Sequence, residues 1–297
     1  MAIAAAFLVE FLSEGRYPVL SRLTDAPRRQ QRTVRGADIV LVSGPRGSVP
    51  LVLVHGFAPS GNRDDRVLAA ATLLARAGFA VAVPTIPGLT QGRLRPDDVE
   101  PVIAALGFRS GPATLVAVSV GAGPALLAAA DPGVSGRVAT VVVLGGYASA
   151  RELVRYFLTG EYVYANRGGH TVHDPDVVRT FVAANADLLD PPLRQALEAG
   201  SRQATEAALD AIAPLLEVLS PERVAPRIPG HLLLVHGRGD RAVPYTETLR
   251  LAAARPHNTT VVLVGIIGHV EGTGPLWQGL RDLLALWGVA YAMIAGR

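Results

Sequence analysis

The strongest constraint on this chain is a rhythm. Short runs of apolar, largely β-branched residues alternate with stretches of helical pattern up to residue 144, lapse, and return near the end. Residues 33–35 and 38–42 read as short strands near a sheet edge, and 50–55 (PLVLVH) is a continuous apolar run of the kind that a strand buried on both faces requires. A helical pattern over 66–77 stops at Gly78, a residue suited to closing a helix, and 80–84 is the next strand. Residues 96–106 start with acids, which a helix favours in its first turn, and 114–118 and 138–144 are further strands. Such alternation predicts an α/β fold built on a mostly parallel, doubly wound sheet with helices on both faces.

The rhythm breaks between Tyr147 and about Ile228. That stretch has no long β-rich run and carries helical patterns over 176–186, 192–199 and 207–213. Roughly eighty residues are too many for a loop in a compact fold, so a helical insertion is expected over 148–227. Strands at 231–236 and 258–264, with a helix near 245–254 between them and another over about 275–293, complete the chain. The expected organisation is an amino-terminal helix and arm over 1–35, a core over 36–147 and 228–297, and the insertion within that core.

Composition narrows the functional classes. Hydrophobic residues make up 49% and charged residues 18%, which describes a globular protein able to bury a large core. All 28 basic residues are arginine, and they are scattered except for Arg28, Arg29, Arg32 and Arg35, so no nucleic-acid footprint is read. The absence of cysteine excludes disulfides, thiolate metal sites and a cysteine nucleophile. Residues 1–12 are apolar except for Glu10, too few to cross a bilayer and without the flanks of a secretory signal. A helix docked on the body is expected, with a weak membrane-surface role as the second reading. A cytoplasmic location is favoured, and membrane association or export is left open.

The chemistry starts at Ser119. In the run TLVAVSVGAGP over 114–124, a strand stops at a serine and a Gly/Ala-rich helix begins, which is the outline of a nucleophile elbow. Such a turn demands small residues two positions before and after the serine, and Ala117 and Gly121 supply them. An alcohol is a poor nucleophile near neutral pH, so it needs a base to take its proton and a carboxylate to orient that base. Asp240 lies just beyond the strand at 231–236, and His269 just beyond the strand at 258–264. In a parallel sheet those loops share the carboxyl edge that presents Ser119, so three distant residues can meet.

On these motifs, in the order Ser, Asp, His, the chain resembles the α/β-hydrolase superfamily, in particular esterases and dienelactone-hydrolase-like members, which share the G-D-x-x-V-P form of residues 239–244. The resemblance covers about 36–147 and 228–297 and puts a lid at the helical insertion. It implies Ser119 as nucleophile, Asp240 as triad acid and His269 as base. It also maps His55-Gly56-Phe57 to the oxyanion loop, with the backbone N–H groups of Phe57 and Val120 forming the oxyanion hole. The implied function is a serine hydrolase that cleaves a small-molecule carboxylic ester through an acyl-enzyme, with no metal or organic cofactor. Thioesterase, lactonase, carbon-carbon hydrolase and perhydrolase chemistry use the same triad, and a non-catalytic ligand-binding or membrane-associated protein is the alternative of another class. Ala117 and the apolar Val118 depart from the usual pattern.

Other residues were weighed beside these. Tyr147, Tyr156, Phe157 and Tyr162 are candidates to line an apolar substrate cleft, or to form the insertion's own core. His55 and His236 read as structural, and Glu152 or Asp210 could replace Asp240 as the acid. His170, His173, Asp174 and Asp176 lack a spacing that would face them together on a metal. Residues 61–65 lack the lysine and second glycine of a phosphate loop.

Overall fold

The computed structural model describes residues 2–45, 49–108, 111–265 and 276–295, and the apolar runs form strands within it. They are β1 (Arg28–Val34), β2 (Ala37–Ser43), β3 (Val49–Val54), β4 (Phe79–Pro84), β5 (Ala113–Val118), β6 (Val138–Leu144), β7 (Glu161–Tyr164), β8 (Arg167–His170), β9 (His231–Gly237) and β10 (Thr259–Val264). Eight of them form one sheet in the order β1-β2-β4-β3-β5-β6-β9-β10. Only β2 runs against its neighbours, and every pairing from β4 to β10 is parallel.

Burial explains the composition of the strands. β4 is buried at every residue, as a central strand covered on both faces must be. β1, with the sequence RRQQRTV, is exposed along nearly its whole length, and its arginines guard an edge that would otherwise invite another strand. The Arg28–Arg35 cluster is therefore spread over an edge hairpin, with Arg28 and Arg32 on one face, Arg29 on the other and Arg35 in its turn. Its tight turn places Arg35 and Gly36 at φ +50° and +81°, matching the twist of the two strands.

Two apolar layers sandwich the sheet. On one face, Leu73 and Leu74 of the helix Asp65–Arg76 pack with Val81, Val83 and Val116, and with Ala290 and Ile294 of the closing helix Leu276–Ala295. On the other, Val102 and Leu106 of Val99–Gly107 and Leu126 of Ala122–Ala129 pack on Leu115, Val141 and Leu234. The amino-terminal helix Ala2–Leu12 docks on the first of these layers through Ala4, Ala6 and Phe7. Glu10, the polar interruption in that helix, is 8% exposed. Its carboxylate accepts from the Ser21 amide at 2.8 Å and from the Ser21 hydroxyl, which ties the first helix to the second, Val19–Leu23.

Between β6 and β9 the chain forms helices at Ala150–Thr159, Pro175–Ala184, Pro191–Glu198, Arg202–Ala211 and Ala213–Val218. Side-chain caps from Ser149, Asp174, Asp190 and Ser201 start four of these. The β7–β8 hairpin within this stretch is too short and glycine-rich to show in the sequence pattern. Arg250 holds it from outside, with its guanidinium 4.6 Å above the Tyr164 ring.

The acids expected to start a helix near residue 96 behave unequally. Residues Pro96–Asp98 form a 3₁₀ turn before the α-helix, and Asp98 is buried and accepts from the Gly88 amide at 2.8 Å. Burial pushes its carboxyl up to about 6, against the opposing effect of that hydrogen bond. The folded protein thus holds a proton there that the unfolded chain releases near pH 4. The resulting stability, about 3 kcal/mol, is present below that pH and lost as pH rises through 6. Asp98→Asn keeps an acceptor for Gly88 and is expected to be more stable than wild type at pH 8 but not at pH 4. Melting temperature against pH checks this, and an unchanged difference across that window refutes it.

Candidate active site

The parallel register brings four strand ends side by side. Val54 of β3 pairs with Ala117 of β5, which pairs with Val143 of β6, and Leu144 pairs with Val235 of β9. The residues just beyond these ends are His55-Gly56, Ser119, Gly145-Gly146 and the loop that carries Asp240.

Ser119 stands at φ +54°, between an extended Val118 and a 3₁₀ turn leading into Ala122–Ala129. A non-glycine residue in the left-handed region costs on the order of 1–3 kcal/mol and persists only where its surroundings enforce it. Those surroundings are tight. A Cβ on Gly121 would fall 2.3 Å from the His55 carbonyl oxygen, and one on Gly56 would fall 3.1 Å from Ser119 Cβ. Gly121 itself has an ordinary φ of −62°, so its glycine is required by contact and not by conformation. Ala117, two residues before the serine, is fully buried, and its methyl packs in the apolar layer with Ala122, Ala125 and Val143. We expect Gly121→Ala to lower stability by roughly 1–3 kcal/mol, measured as a denaturation midpoint. Gly136→Ala, where a Cβ meets nothing within 4 Å, is the control.

Asp240 approaches the same point from the other side. A Cβ on Gly145 would lie 3.0 Å from Asp240 Oδ2, while one on Gly146 would lie 2.5 Å from Ala122 Cβ and 3.8 Å from the Ser119 carbonyl oxygen. The glycine pair at the end of β6 thus lies between the strand ends that carry the serine turn and the carboxylate, with Gly145 next to Asp240 and Gly146 next to the serine turn. The sequence reading passed over it, although Gly-Gly directly after an apolar run was the available signal.

The carboxylate of Asp240 is held firmly. Its Oδ1 accepts from the Ala242 and Val243 amides at 2.8 and 3.1 Å. Its Oδ2 lies 3.5 Å from His236 Nε2. Burial works to raise its pKa, but the hydrogen bonds from His236, Val243 and Ala242 outweigh it and hold the group below the usual carboxylate range. Asp240 therefore stays ionised near neutral pH. His236 is buried, with Nε2 2.9 Å from the Val243 carbonyl and Nδ1 2.6 Å from the Thr248 hydroxyl, so it is part of the scaffold of this loop.

His55 is buried as well. Its Nε2 accepts from the Ile86 amide at 3.1 Å, and its Nδ1 lies 2.7 Å from the Gly56 carbonyl, which fixes one neutral tautomer. Burial lowers its pKa despite the Gly56 bond and the charge of Asp64. With both nitrogens occupied, His55 pins the loop that continues through Gly56 to Phe57. The Phe57 side chain is 57% exposed, and Val120 packs against an apolar cluster with Tyr147, Val154, Leu209 and Val243. His269 lies outside the described residues. The last described residue of that loop, Gly265, directly follows β10 and donates to Asp282 Oδ2 at 2.6 Å.

The four aromatic candidates divide. Tyr147 and Tyr156 are buried, and their hydroxyls donate to the Leu219 and Arg241 carbonyls at 3.0 and 2.8 Å. They fasten the insertion to itself and to the Asp240 loop. Phe157 stacks on His173 and meets Phe181, and Tyr162 packs edge-on against Tyr156. A narrow apolar crevice of about 30 Å³ lies between Leu94 and the helices that follow β6, lined by Val154, Leu158, Phe181, Leu209 and Ile212 among others. Buried Glu247, also missed by the sequence reading, accepts from the Ala148 and Ser149 amides at 3.1 and 2.8 Å and anchors the start of the insertion.

The remaining candidates have local partners. Glu152 pairs with Arg155 and Asp210 with Arg151, both at the surface of the insertion. His173 Nε2 lies 3.0 Å from the Tyr156 carbonyl, Asp174 caps its helix and Asp176 pairs with Arg179. Among the described residues, no three His, Asp or Glu side chains converge as a metal site would require. Asn62, in the stretch 61–65, ties the Asp38 and Val83 carbonyls together.

This combination of sheet order, serine turn and carboxylate loop defines an α/β hydrolase, and the chain belongs to the alpha/beta hydrolase family, whose model matches residues 51–286. The fold is similar to that of a membrane phospholipase A described as a bacterial virulence factor, at 19% identity over 95% of this chain and 92% of the other, with a TM-score of 0.52. It is also similar to an esterase of Pyrococcus furiosus, at 14% identity over 90% and 92% with a TM-score of 0.51. A meta-cleavage product hydrolase from Pseudomonas fluorescens shares the fold at 16% identity over 87% and 96%, with a TM-score of 0.51. No curated protein matches the sequence.

Proposed function

We propose that this protein is a serine hydrolase that cleaves carboxylic esters by acyl transfer. The observation that carries the reading is Ser119, held at φ +54° on a strand-end turn, with the ionised Asp240 beyond the end of β9 at the same sheet edge and Gly145-Gly146 at the strand end between them. In the proposed reaction His269, oriented by Asp240, takes the proton of Ser119 as its oxygen bonds to the carbonyl carbon. The carbonyl oxygen becomes an oxyanion bound by the Phe57 and Val120 N–H groups, each typically worth about 10²–10³ in rate. His269 passes its proton to the alcohol oxygen, the ester C–O bond breaks and the acyl-enzyme remains. Water then attacks by the same route, releasing the acid and restoring Ser119.

The insertion serves as the lid in this reading. Two of the three fold relatives named above are a phospholipase and an esterase, and an ester is the substrate class those two have in common. The test combines fluorophosphonate labelling, with the modified peptide identified by mass spectrometry, and turnover across p-nitrophenyl esters of graded chain length, thioesters and lactones. Labelling at Ser119 with fastest turnover of esters is expected. Labelling elsewhere overturns the nucleophile, and preferred cleavage of a thioester or lactone overturns the substrate class.

A further inference from the structure

The charge of this chain is concentrated in one place. Its formal net charge is +3, and residues 1–35 hold six arginines against three acids, so residues 36–297 balance at 22 of each. Of the three acids in the arm, Glu10 is buried against Ser21, which leaves Arg16, Arg22, Arg28, Arg29, Arg32 and Arg35 facing solvent with only Glu14 and Asp25.

The same arm inverts the usual polarity of a surface helix. In Ala2–Leu12 the one charged side chain points inward, while Val9 and Phe11 are 46% and 42% exposed. The next segment adds Tyr17 and Leu23, at 67% and 69% exposed. The closing helix, which packs beside Ala2–Leu12, leaves Leu283, Leu284 and Tyr291 uncovered. Tyr17 and Leu23 each adjoin an exposed arginine in sequence, Arg16 and Arg22, so apolar and basic side chains alternate along the outside of this arm.

We infer that the arm of residues 2–32, with the closing helix beside it, is a docking surface for an anionic lipid bilayer. Val9, Tyr17 and Leu23 enter the headgroup boundary, and Arg16 and Arg22, each next in sequence to one of these side chains, meet the lipid phosphates. Among the described residues no helix is long and apolar enough to cross a membrane, so the contact is interfacial. A second copy of the chain fits less well, because a two-fold interface would set this positive arm against itself. The inference does not depend on the proposed esterase activity.

The test floats the full chain with vesicles of phosphatidylcholine alone or mixed with phosphatidylglycerol. Binding to the mixed vesicles, weakened by salt, is expected. Val9→Asp with Leu23→Asp, and separately Arg16→Glu with Arg22→Glu, are each expected to lower partitioning at least about tenfold while melting as wild type does. These side chains are exposed, so the fold survives. Turnover of a soluble p-nitrophenyl ester, if wild type has it, stays unchanged in both variants, which separates failure here from failure of the catalytic reading. Absence of wild-type flotation, equal binding to neutral vesicles, or a dimer in sedimentation that Val9→Asp dissociates would each overturn the proposal.

Discussion

Ser119→Ala is expected to lower kcat on any ester the protein cleaves by about 10⁴–10⁶, with KM much less affected. Without the oxygen no acyl-enzyme forms, and only the oxyanion donors and substrate binding contribute to residual catalysis. Alanine has the same Cβ as serine, so the turn at φ +54° and its contacts with Gly56 and Gly146 are kept. Stability should therefore stay within about 1 kcal/mol of wild type. Single-turnover kinetics with a p-nitrophenyl ester, together with a thermal melt, make the measurement. Turnover near the wild-type level in a folded variant would falsify the assignment of Ser119.

Asp240→Asn is the second large effect, a fall in kcat of about 10⁴ near neutral pH. The amide oxygen can still accept from the Ala242 and Val243 amides, so the loop keeps its shape. In the proposed mechanism, what is lost is the negative charge that would orient the base and stabilise it when protonated. The sign of the stability effect follows from the lowered pKa. Ionised Asp240 contributes stability above the carboxylate pKa of the unfolded chain, and this is lost as pH falls through the lower folded value. Wild type and Asp240→Asn should converge in stability in acid and differ at pH 7, with wild type the more stable. Denaturant midpoints at the two pH values test the stability claim, and kcat at pH 7 tests the catalytic one. A variant with full activity would remove Asp240 from the mechanism and return attention to other carboxylates.

The candidate site was legible to the extent that it depends on strand ends. Ser119 and Asp240 each follow an apolar run that has to be a buried strand, and a parallel sheet sends all such ends to one edge. The sequence pattern is silent on which ends are neighbours. The order β3-β5-β6-β9 puts Gly145-Gly146 between Ser119 and Asp240, and that order comes from pairing among strands far apart in the chain. The aromatic residues of the insertion show the other limit. Tyr147 and Tyr156 look alike in sequence to residues that line a cleft, but each hydroxyl finds a backbone carbonyl in a distant segment and each ring is buried. Likewise Glu10 reads as a break in an apolar helix until Ser21 is found beside it.

The sequence by itself determined the class of fold, the elbow geometry around Ser119 and the edge at which Asp240 emerges. These follow from local rules: hydrophobic period, the small residues a tight turn demands, and the loops between buried strands. Tertiary structure decided which polar groups are free to do chemistry and which are consumed in holding the chain together. It made His55 and His236 fixed scaffold and kept Asp240 ionised through bonds that outweigh its burial. It also turned Glu10 inward, onto the Ser21 amide. The physical reason is that a buried polar group must find a partner, and its partner usually lies in a part of the chain that no local pattern can name.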